Sequence, residues 1–281
     1  MNRKSIFLTG LLVAILIGSR FAHAENRLKV AFLDIGQGDA IYIEAPNGNQ
    51  MIIDGGPGNA LRDALAEVMP YGDKSINVLI VTNTDADHYS GFISLIRDYD
   101  IGAVIEPGTV TKTATYKKLK KVINEQEIPN IIARNGMTID LDKENEVSFR
   151  VLFPDRDVTR WSTNDGSIMG ILSYGETKVM FTGDGTKKTE NAVLANNKGE
   201  ILRSDILKVG HHGSATSSGD AFVRTVSPTW AVISAGLKNS YGLPKKVTLD
   251  TLLKNKAEIL RTDELGTITF LSDGNQFLLD N

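Results

Sequence analysis

The sequence contains no cysteine among its 281 residues. This absence excludes disulfide bonds, a thiolate nucleophile and a zinc site built from cysteine ligands. The HExxH, GxSxG and P-loop motifs are missing as well. Metal chemistry is therefore open to this chain only through histidine, carboxylate and amide side chains.

Long uncharged apolar stretches are scarce, and the clearest one, residues 6–17, follows the basic residues Arg3 and Lys4. It is short for a bilayer span, and the tripeptide AHA at 22–24 is typical of a cleavage site. We therefore expect residues 1–24 to be a signal peptide, with an uncleaved N-terminal anchor as the alternative. The mature chain, residues 25–281, is then expected to be a single domain. We expect it to be periplasmic or secreted, without a stable membrane span.

Excess positive charge is lacking too. Removing residues 1–24 takes away three of the 31 basic residues and none of the 34 acidic ones, which leaves a net charge of −6. Such a surface disfavours non-specific nucleic-acid binding by the whole molecule, although it allows a local basic patch.

Apolar strands and amphipathic helices alternate along the mature chain without a repeat or a linker. The pattern predicts helices near 59–69, 90–99, 115–126, 219–225 and 246–255, and a block of strands between 138 and 182. This alternation is typical of an α/β domain with sheets inside and helices outside, arranged in two halves.

Five apolar strands end in a polar cluster: residues 34–39, 54–56, 83–88, 183–185 and 210–214. Ligand sites of α/β proteins lie at the carboxyl ends of strands, so these clusters can converge on one cleft. All three histidines of the mature chain, His88, His211 and His212, lie in them. Together with Asp85, Asp87 and Asp184, the histidines indicate a metal site. Helix capping by Asp85 and Asp87 and an ordinary turn at Asp184 are the alternatives.

The chain resembles the metallo-β-lactamase fold, and most closely the ComEC-type hydrolase domain of competence proteins. The resemblance is carried by "FLDIGQGDAIYIE", "MIIDGG", "VTNTDADHYSGF", "FTGD", "ILKVGHHGSATSS", "VISAGLKNSYGLP" and "LRTDELGTI". It implies a four-layered αβ/βα sandwich with one or two divalent metal ions, Zn or Mn, in the cleft between two sheets.

By this resemblance, each site residue has an expected role. The implied metal ligands are Asp85, Asp87, His88, Asp184 and His211. Asp87 and His212 are the implied catalytic residues, with His212 near the substrate as a proton donor. The implied supporting or substrate-binding residues are Asp39, Asn83, Asp54, Ser214, Asn239 and Tyr241.

Two family histidines are replaced. Asn83 stands where the family has the first histidine of its His-x-Asp-x-Asp-His motif, and Leu243 stands where it commonly has the histidine of YGHP. We therefore expect one firm metal position and a second, weak or empty one formed by Asp85, Asn83 and a shared Asp184.

The resemblance implies an exported metal-dependent hydrolase that acts on phosphodiesters or nucleic acid through a metal-bound hydroxide. Hydrolysis of a β-lactam or lactone, or a binding protein with a degenerate metal site, are the alternatives. The expected partner is a small-molecule or nucleic-acid substrate, and the oligomeric state is not predicted. Lysines 117, 118, 120 and 121 on one predicted helix either contact a phosphate backbone or form a solvated face.

Overall fold

The computed structural model describes residues 27–280. The predicted signal peptide therefore lies outside the described residues. Two mixed sheets pack face to face, and helices cover the outer face of each sheet. The predicted αβ/βα sandwich is confirmed.

The first sheet has eight strands in the order β15-β14-β1-β2-β3-β4-β5-β6. Its strands are β1 Leu28–Phe32, β2 Ala40–Glu44, β3 Gln50–Gly55, β4 Ser75–Ile80, β5 Asp100–Glu106, β6 Asn130–Ile132, β14 Ile268–Ser272 and β15 Phe277–Asp280. Strands β3 to β6 run parallel, whereas β1, β2, β14 and β15 pair antiparallel. The parallel strands bring their carboxyl ends to one edge.

The second sheet has seven strands in the order β13-β12-β11-β10-β9-β8-β7. Its strands are β7 Thr138–Asp142, β8 Val147–Phe153, β9 Met169–Tyr174, β10 Thr177–Phe181, β11 Ile206–Lys208, β12 Trp230–Ile233 and β13 Glu258–Arg261. Strands β10 to β13 run parallel. Each sheet therefore contributes one parallel block whose loops carry polar clusters.

Short helices connect these strands. They are α1 Ala60–Val68, α2 Ala86–Tyr89, α3 Phe92–Asp98, α4 Ala114–Glu125, α5 Lys187–Asn196, α6 Gly199–Leu202, α7 Asp220–Val226, α8 Lys246–Lys254 and α9 Thr262–Leu265. No helix among residues 27–280 has the length and apolar character needed to cross a membrane.

Three apolar clusters form the core. The central one lies between the sheets and includes Phe32, Phe181 and Phe270. The outer two lie between each sheet and its helices, around Phe92 in the first half and Phe222 in the second. Burial of apolar area on this scale is the main favourable term in folding. It holds the two parallel blocks against each other and so fixes the distance between their loops.

Helix α5, Lys187–Asn196, is absent from the sequence-based prediction. Its sequence, KKTENAVLAN, has a weak apolar face, and the helix buries the polar residues Thr189 and Glu190. The helix predicted at 90–99 also begins earlier, at Ala86, and is divided at Ser90 and Gly91. Periodicity predicts helices through their apolar stripe, so a helix that buries polar groups escapes it.

Candidate metal centre

The predicted polar clusters meet at the carboxyl ends of the two parallel blocks. The first sheet supplies Asp54 at the end of β3 and the 83–88 segment after β4. The second sheet supplies Asp184 after β10 and the histidine pair after β11. Asp39 precedes β2. Gly38 has a φ of 138°, and a Cβ built on it would lie 2.5 Å from the backbone oxygen of Asp87. A glycine is therefore needed for this close approach.

His211 and His212 lie in a 3₁₀ turn, Gly210–Gly213. Both have positive φ, 50° and 51°, in the left-handed region that non-glycine residues rarely adopt. Two successive residues of this kind are strained, by about 1–3 kcal/mol each. The turn directs the two rings differently: the side chain of His212 is 3% exposed and that of His211 is 26% exposed.

His88 is buried and spans two carboxylates. Its Nδ1 lies 2.9 Å from Asp54 Oδ2, and its Nε2 lies 3.1 Å from Asp184 Oδ2. Asp54 also accepts hydrogen bonds from the backbone N–H of Thr82 at 2.7 Å and from its hydroxyl at 2.5 Å. Asp54 therefore orients the His88 ring, as expected for a residue that supports a ligand.

The ring of His212 is also oriented by contacts at its Nδ1 atom. Its Nδ1 donates to the carbonyl oxygen of Ser234 at 3.0 Å and lies 3.3 Å from Asp39 Oδ1. A carbonyl oxygen only accepts, so Nδ1 carries the proton and Nε2 is left as the free ring atom. That Nε2 lies 3.6 Å from Asp87 Oδ2 and 3.7 Å from Asp184 Oδ1.

Lys208 was not singled out in the sequence. It is buried in β11, and its Nζ donates to Asp39 Oδ2 at 2.7 Å and to the backbone oxygen of Val209 at 3.1 Å. A buried charge of this kind is retained only when it is paired. The available signal was a lysine inside the apolar run ILKV, where one face of the strand cannot be solvated.

Several ligand atoms of this cluster are buried without a hydrogen-bond partner among residues 27–280. They are His88 Nε2, His212 Nε2, Asp184 Oδ1 and Asp39 Oδ1. Orphaned buried polar atoms are rare and costly. Asp87, His88 and His212 offer ligand atoms within 4.8 Å of one another, and so do Asp39, Asp184 and His212. Because these ligand atoms lie close together and lack a hydrogen-bond partner, the residues fit a divalent cation.

The charges of the cluster shift its pKa values strongly. Burial alone would lower the pKa of His212, but Asp184 and Asp39 outweigh it and raise the pKa to about 10. Burial likewise opposes protonation of His88, whereas Asp184 and Asp54 raise its pKa well above the usual value. The negative potential that favours these protons also favours a cation, and the two compete for the same nitrogen atoms.

The pKa values of the buried carboxyl groups are shifted as well. Burial would raise the pKa of Asp184, yet His88 and His212 lower it far below its usual range. The pKa of Asp39 is also lowered, because Lys208 and His212 outweigh the effect of burial. The pKa of Asp54 is raised, chiefly by burial. Asp184 and Asp39 are thus kept ionised in the interior, as anionic metal ligands and their supports must be.

Asn83 and Asp85 differ from the residues above because their side chains have hydrogen-bond partners within the protein. The Asn83 amide donates to Asn164 Oδ1 at 2.7 Å, and its oxygen accepts the backbone N–H of Asp85 at 2.9 Å. Asp85 Oδ2 accepts from the hydroxyl of Thr163 at 2.8 Å. Asp85 stands at the N-cap of α2 but makes no side-chain capping bond. Capping therefore does not explain its position.

His211 and Ser214 lie at the rim. His211 Nε2 is 3.7 Å from Asp184 Oδ2, and its Nδ1 is 3.1 Å from the hydroxyl of Thr216. Ser214 bonds to the same hydroxyl at 2.9 Å. The geometry favours His212 over His211 as the metal-holding imidazole, whereas the sequence-based expectation was the reverse.

The cluster opens into a cleft of about 660 Å³. Its polar lining residues are Asp85, Asp87, Asp184, His211 and His212, and its walls include Gln37, Pro57, Tyr241 and Leu243. Tyr241 thus lines the cleft as expected. Asn239 is not a lining residue; its side chain bonds to the backbone of Gly236 and Leu243.

The family model of the metallo-beta-lactamase superfamily matches residues 33–236. The chain belongs to this superfamily. Its members are mostly hydrolases, and the fold binds divalent metals, typically zinc. The matched segment contains every residue of the buried cluster described above.

The sequence relatives are competence-type proteins, as the resemblance implied. ComE operon protein 3 of Bacillus subtilis is 28% identical over 259 residues, which cover 86% of this chain and 33% of the relative. Recombination protein 2 of Haemophilus influenzae is 28% identical over 247 residues, 85% of this chain and 28% of the relative. The chain therefore spans about a third of the length of these relatives.

Solved structures share the fold. YhfI of Bacillus subtilis, a metallo-beta-lactamase fold protein, aligns with a TM-score of 0.59 and 9% identity over 87% of this chain and 100% of that protein. A long form RNase Z from yeast aligns with a TM-score of 0.55 and 14% identity over 91% of this chain and 43% of that protein. At these identities the likeness concerns the fold.

Proposed function

We propose that this chain is an exported, metal-dependent phosphodiesterase that acts on nucleic acid. The observation that carries the proposal is the convergence of Asp87, His88, Asp184 and His212, three of which line an open cleft. Three of their ligand atoms, on His88, His212 and Asp184, have no hydrogen-bond partner among residues 27–280. The names of the relatives, competence and recombination proteins, and of a fold neighbour, an RNase, favour a nucleic-acid phosphodiester.

These four residues, which we term the quartet, would hold the metal ion. Two carboxylates and two imidazoles form a donor set that suits Zn²⁺ or Mn²⁺. A dication in such a set supplies an activated water and polarises a phosphoryl oxygen. Asp54 and Asp39 hold the two imidazole rings from behind, so the ring orientation does not have to be established during metal binding.

His211 is the residue we propose for proton transfer. It is partly exposed, lies on the rim of the cleft and is oriented by the hydroxyl of Thr216. A group that protonates a leaving oxygen must reach substrate while remaining in contact with solvent. The proposal therefore exchanges the roles expected for the two histidines, with His212 holding metal and His211 facing substrate.

We propose a single firm metal position. The oxygen atom of Asn83 is engaged by the backbone N–H of Asp85, and one oxygen of Asp85 is engaged by Thr163. A second ion would compete with these bonds and would gain a neutral amide, the Asp85 carboxylate and a share of Asp184 in return. The second position is accordingly weak or empty.

The N-terminal segment supports a proposal for the cellular location. A basic start, a short apolar run and a small-residue cleavage pattern favour export of residues 25–281. We accordingly propose a periplasmic or secreted location and a nucleic-acid strand as the partner.

A metal-reconstitution assay tests the function. Purified protein is stripped, reloaded with Mn²⁺ or Zn²⁺ and assayed with bis(4-nitrophenyl) phosphate, with nitrocefin as the β-lactam control. We expect release of nitrophenol, no nitrocefin turnover and about one metal ion per chain. The near-isosteric Asp87→Asn variant should lose the activity. Nitrocefin turnover, or hydrolysis that persists in Asp87→Asn, would overturn the proposal.

A further inference from the structure

The loop of residues 236–246 presents an aromatic side chain beside the metal centre. Tyr241 is 65% exposed and lines the cleft together with Leu243. A tyrosine that is largely exposed and belongs to the wall of a cleft has an apolar face available for a ligand. Asp184 and His211 line the same cleft.

The 236–246 loop is held in shape by its own hydrogen bonds. The side chain of Asn239 donates to the carbonyl oxygens of Gly236 at 3.0 Å and Leu243 at 2.7 Å, and it accepts the Leu243 N–H at 3.0 Å. Gln37 accepts the N–H of Gly236 at 3.1 Å. Because the loop is already ordered, a ligand that stacks on Tyr241 does not have to order it first.

The same loop carries a lysine whose charge is not paired with a carboxylate among residues 27–280. Lys245 Nζ donates to the backbone oxygen of Tyr241 at 2.7 Å, and its charge meets no carboxylate within 4.0 Å in the part of the chain that the structure describes. Its neighbour Lys246, by contrast, pairs with Asp250. Lys238 is exposed in the same loop. A cation anchored beside an exposed ring matches a phosphate joined to a base.

We propose that the 236–246 loop binds one nucleotide of a single-stranded nucleic acid, with its base on Tyr241 and the neighbouring phosphate on Lys245. Stacking platforms with adjacent cations are how proteins bind single strands without reading sequence. Base faces are accessible in a single strand, whereas they are covered in a duplex. The inference rests on the proposed function, because it takes this strand to be the one whose phosphodiester is hydrolysed.

Binding of a fluorescent, hydrolysis-resistant phosphorothioate oligothymidylate of about ten nucleotides to the metal-loaded protein, followed by anisotropy, tests this site. Loss of one stacked base weakens binding by roughly 1–3 kcal/mol, so Tyr241→Ala should weaken it about tenfold. Tyr241→Phe should retain it, because the ring face is unchanged. For Lys245→Ala we expect weaker binding and a logarithmic salt slope flatter by about 0.7.

Two matched controls are available in the chain. Tyr71 is fully exposed but lies away from the cleft lining, so Tyr71→Ala should bind as the wild type does. Lys246→Ala removes a lysine that is already paired with Asp250. A duplex of the same length should bind more weakly than the single strand.

Wild-type affinity in Tyr241→Ala, or equal binding of duplex and single strand, would overturn the inference. Hydrolysis of bis(4-nitrophenyl) phosphate by wild-type protein without oligonucleotide binding would overturn it and leave the proposed function standing. Tyr241-dependent binding without any hydrolysis would support the loop site and overturn the proposed function. The two failures are therefore distinguishable.

Discussion

The two groups of polar residues at the cleft differ in how far their polar atoms are hydrogen-bonded. In the quartet, three ligand atoms, His88 Nε2, His212 Nε2 and Asp184 Oδ1, have no hydrogen-bond partner among residues 27–280. On the Asn83 side, defined by Asn83 and Asp85, partners from the 163–164 segment are already bonded. An unsatisfied buried polar atom costs about 1–3 kcal/mol, so the quartet is stable at little cost only with a ligand, whereas the Asn83 side is complete without one.

This contrast bears on the motif implied by the resemblance, His-x-Asp-x-Asp-His, in which Asn83 stands at the first position while Asp85, Asp87 and His88 are kept. Replacing a histidine by Asn83 removes a metal-binding nitrogen but adds an amide that can both donate and accept. The amide uses both capacities, toward Asn164 and toward the backbone of Asp85. These hydrogen bonds hold the loop in shape.

The largest effect is expected from Asp184→Asn in the quartet. The variant keeps the shape but removes the charge that faces His88 and His212. Activity and metal affinity should fall by more than the roughly 10–100-fold that loss of a supporting residue costs. Metal content and phosphodiesterase rate check this. A variant that still holds about one ion per chain would contradict the quartet.

The next largest difference separates the two neighbouring histidines. His212→Asn should abolish metal binding, because the ring fills a buried position of the quartet. His211→Asn should retain the metal and lose about 10²-fold or more in turnover, the usual contribution of a positioned acid. Metal content measured beside turnover separates the two outcomes. Metal loss in His211→Asn alone would restore the sequence-based assignment.

A smaller effect is expected behind the quartet, at Lys208. Lys208→Met leaves Asp39 without its cation, so metal affinity should fall about 10–100-fold and unfolding free energy by about 3–5 kcal/mol. The double variant Lys208→Met/Asp39→Asn removes the unpaired charge and should recover stability without recovering affinity. Calorimetric metal titration and denaturant unfolding measure the two quantities separately. Recovery of both would show that Lys208 acts on folding alone.

The smallest effect is expected on the Asn83 side. Asn83→Ala removes two hydrogen bonds, which costs about 1–3 kcal/mol in stability, and it should leave the quartet's ion in place. Denaturant unfolding and metal content provide the measurements, with Asp85→Asn as the second variant on this side. Loss of the metal from either variant would remove the distinction between the two sides.

Much of this molecule follows from local sequence. Apolar runs that end in Asp or His predicted the strands and the convergence of their polar ends on one cleft, because a buried strand and the polar loop after it are adjacent in the sequence. The scarcity of histidine was equally informative, since all three histidines of residues 25–281 lie within 4 Å of Asp184. The family motifs, read with these, predicted the sandwich that the structure confirms.

Other features were decided only by the tertiary structure. His211 and His212 share one sequence context, and the left-handed turn determines which ring is buried. Lys208 meets Asp39 across 169 residues, and Asn83 meets Asn164 across 81. Such pairs form because the central core brings the two sheets together. Local sequence determines where polar groups leave a strand, whereas packing of distant segments determines which of them face each other and remain free for a ligand.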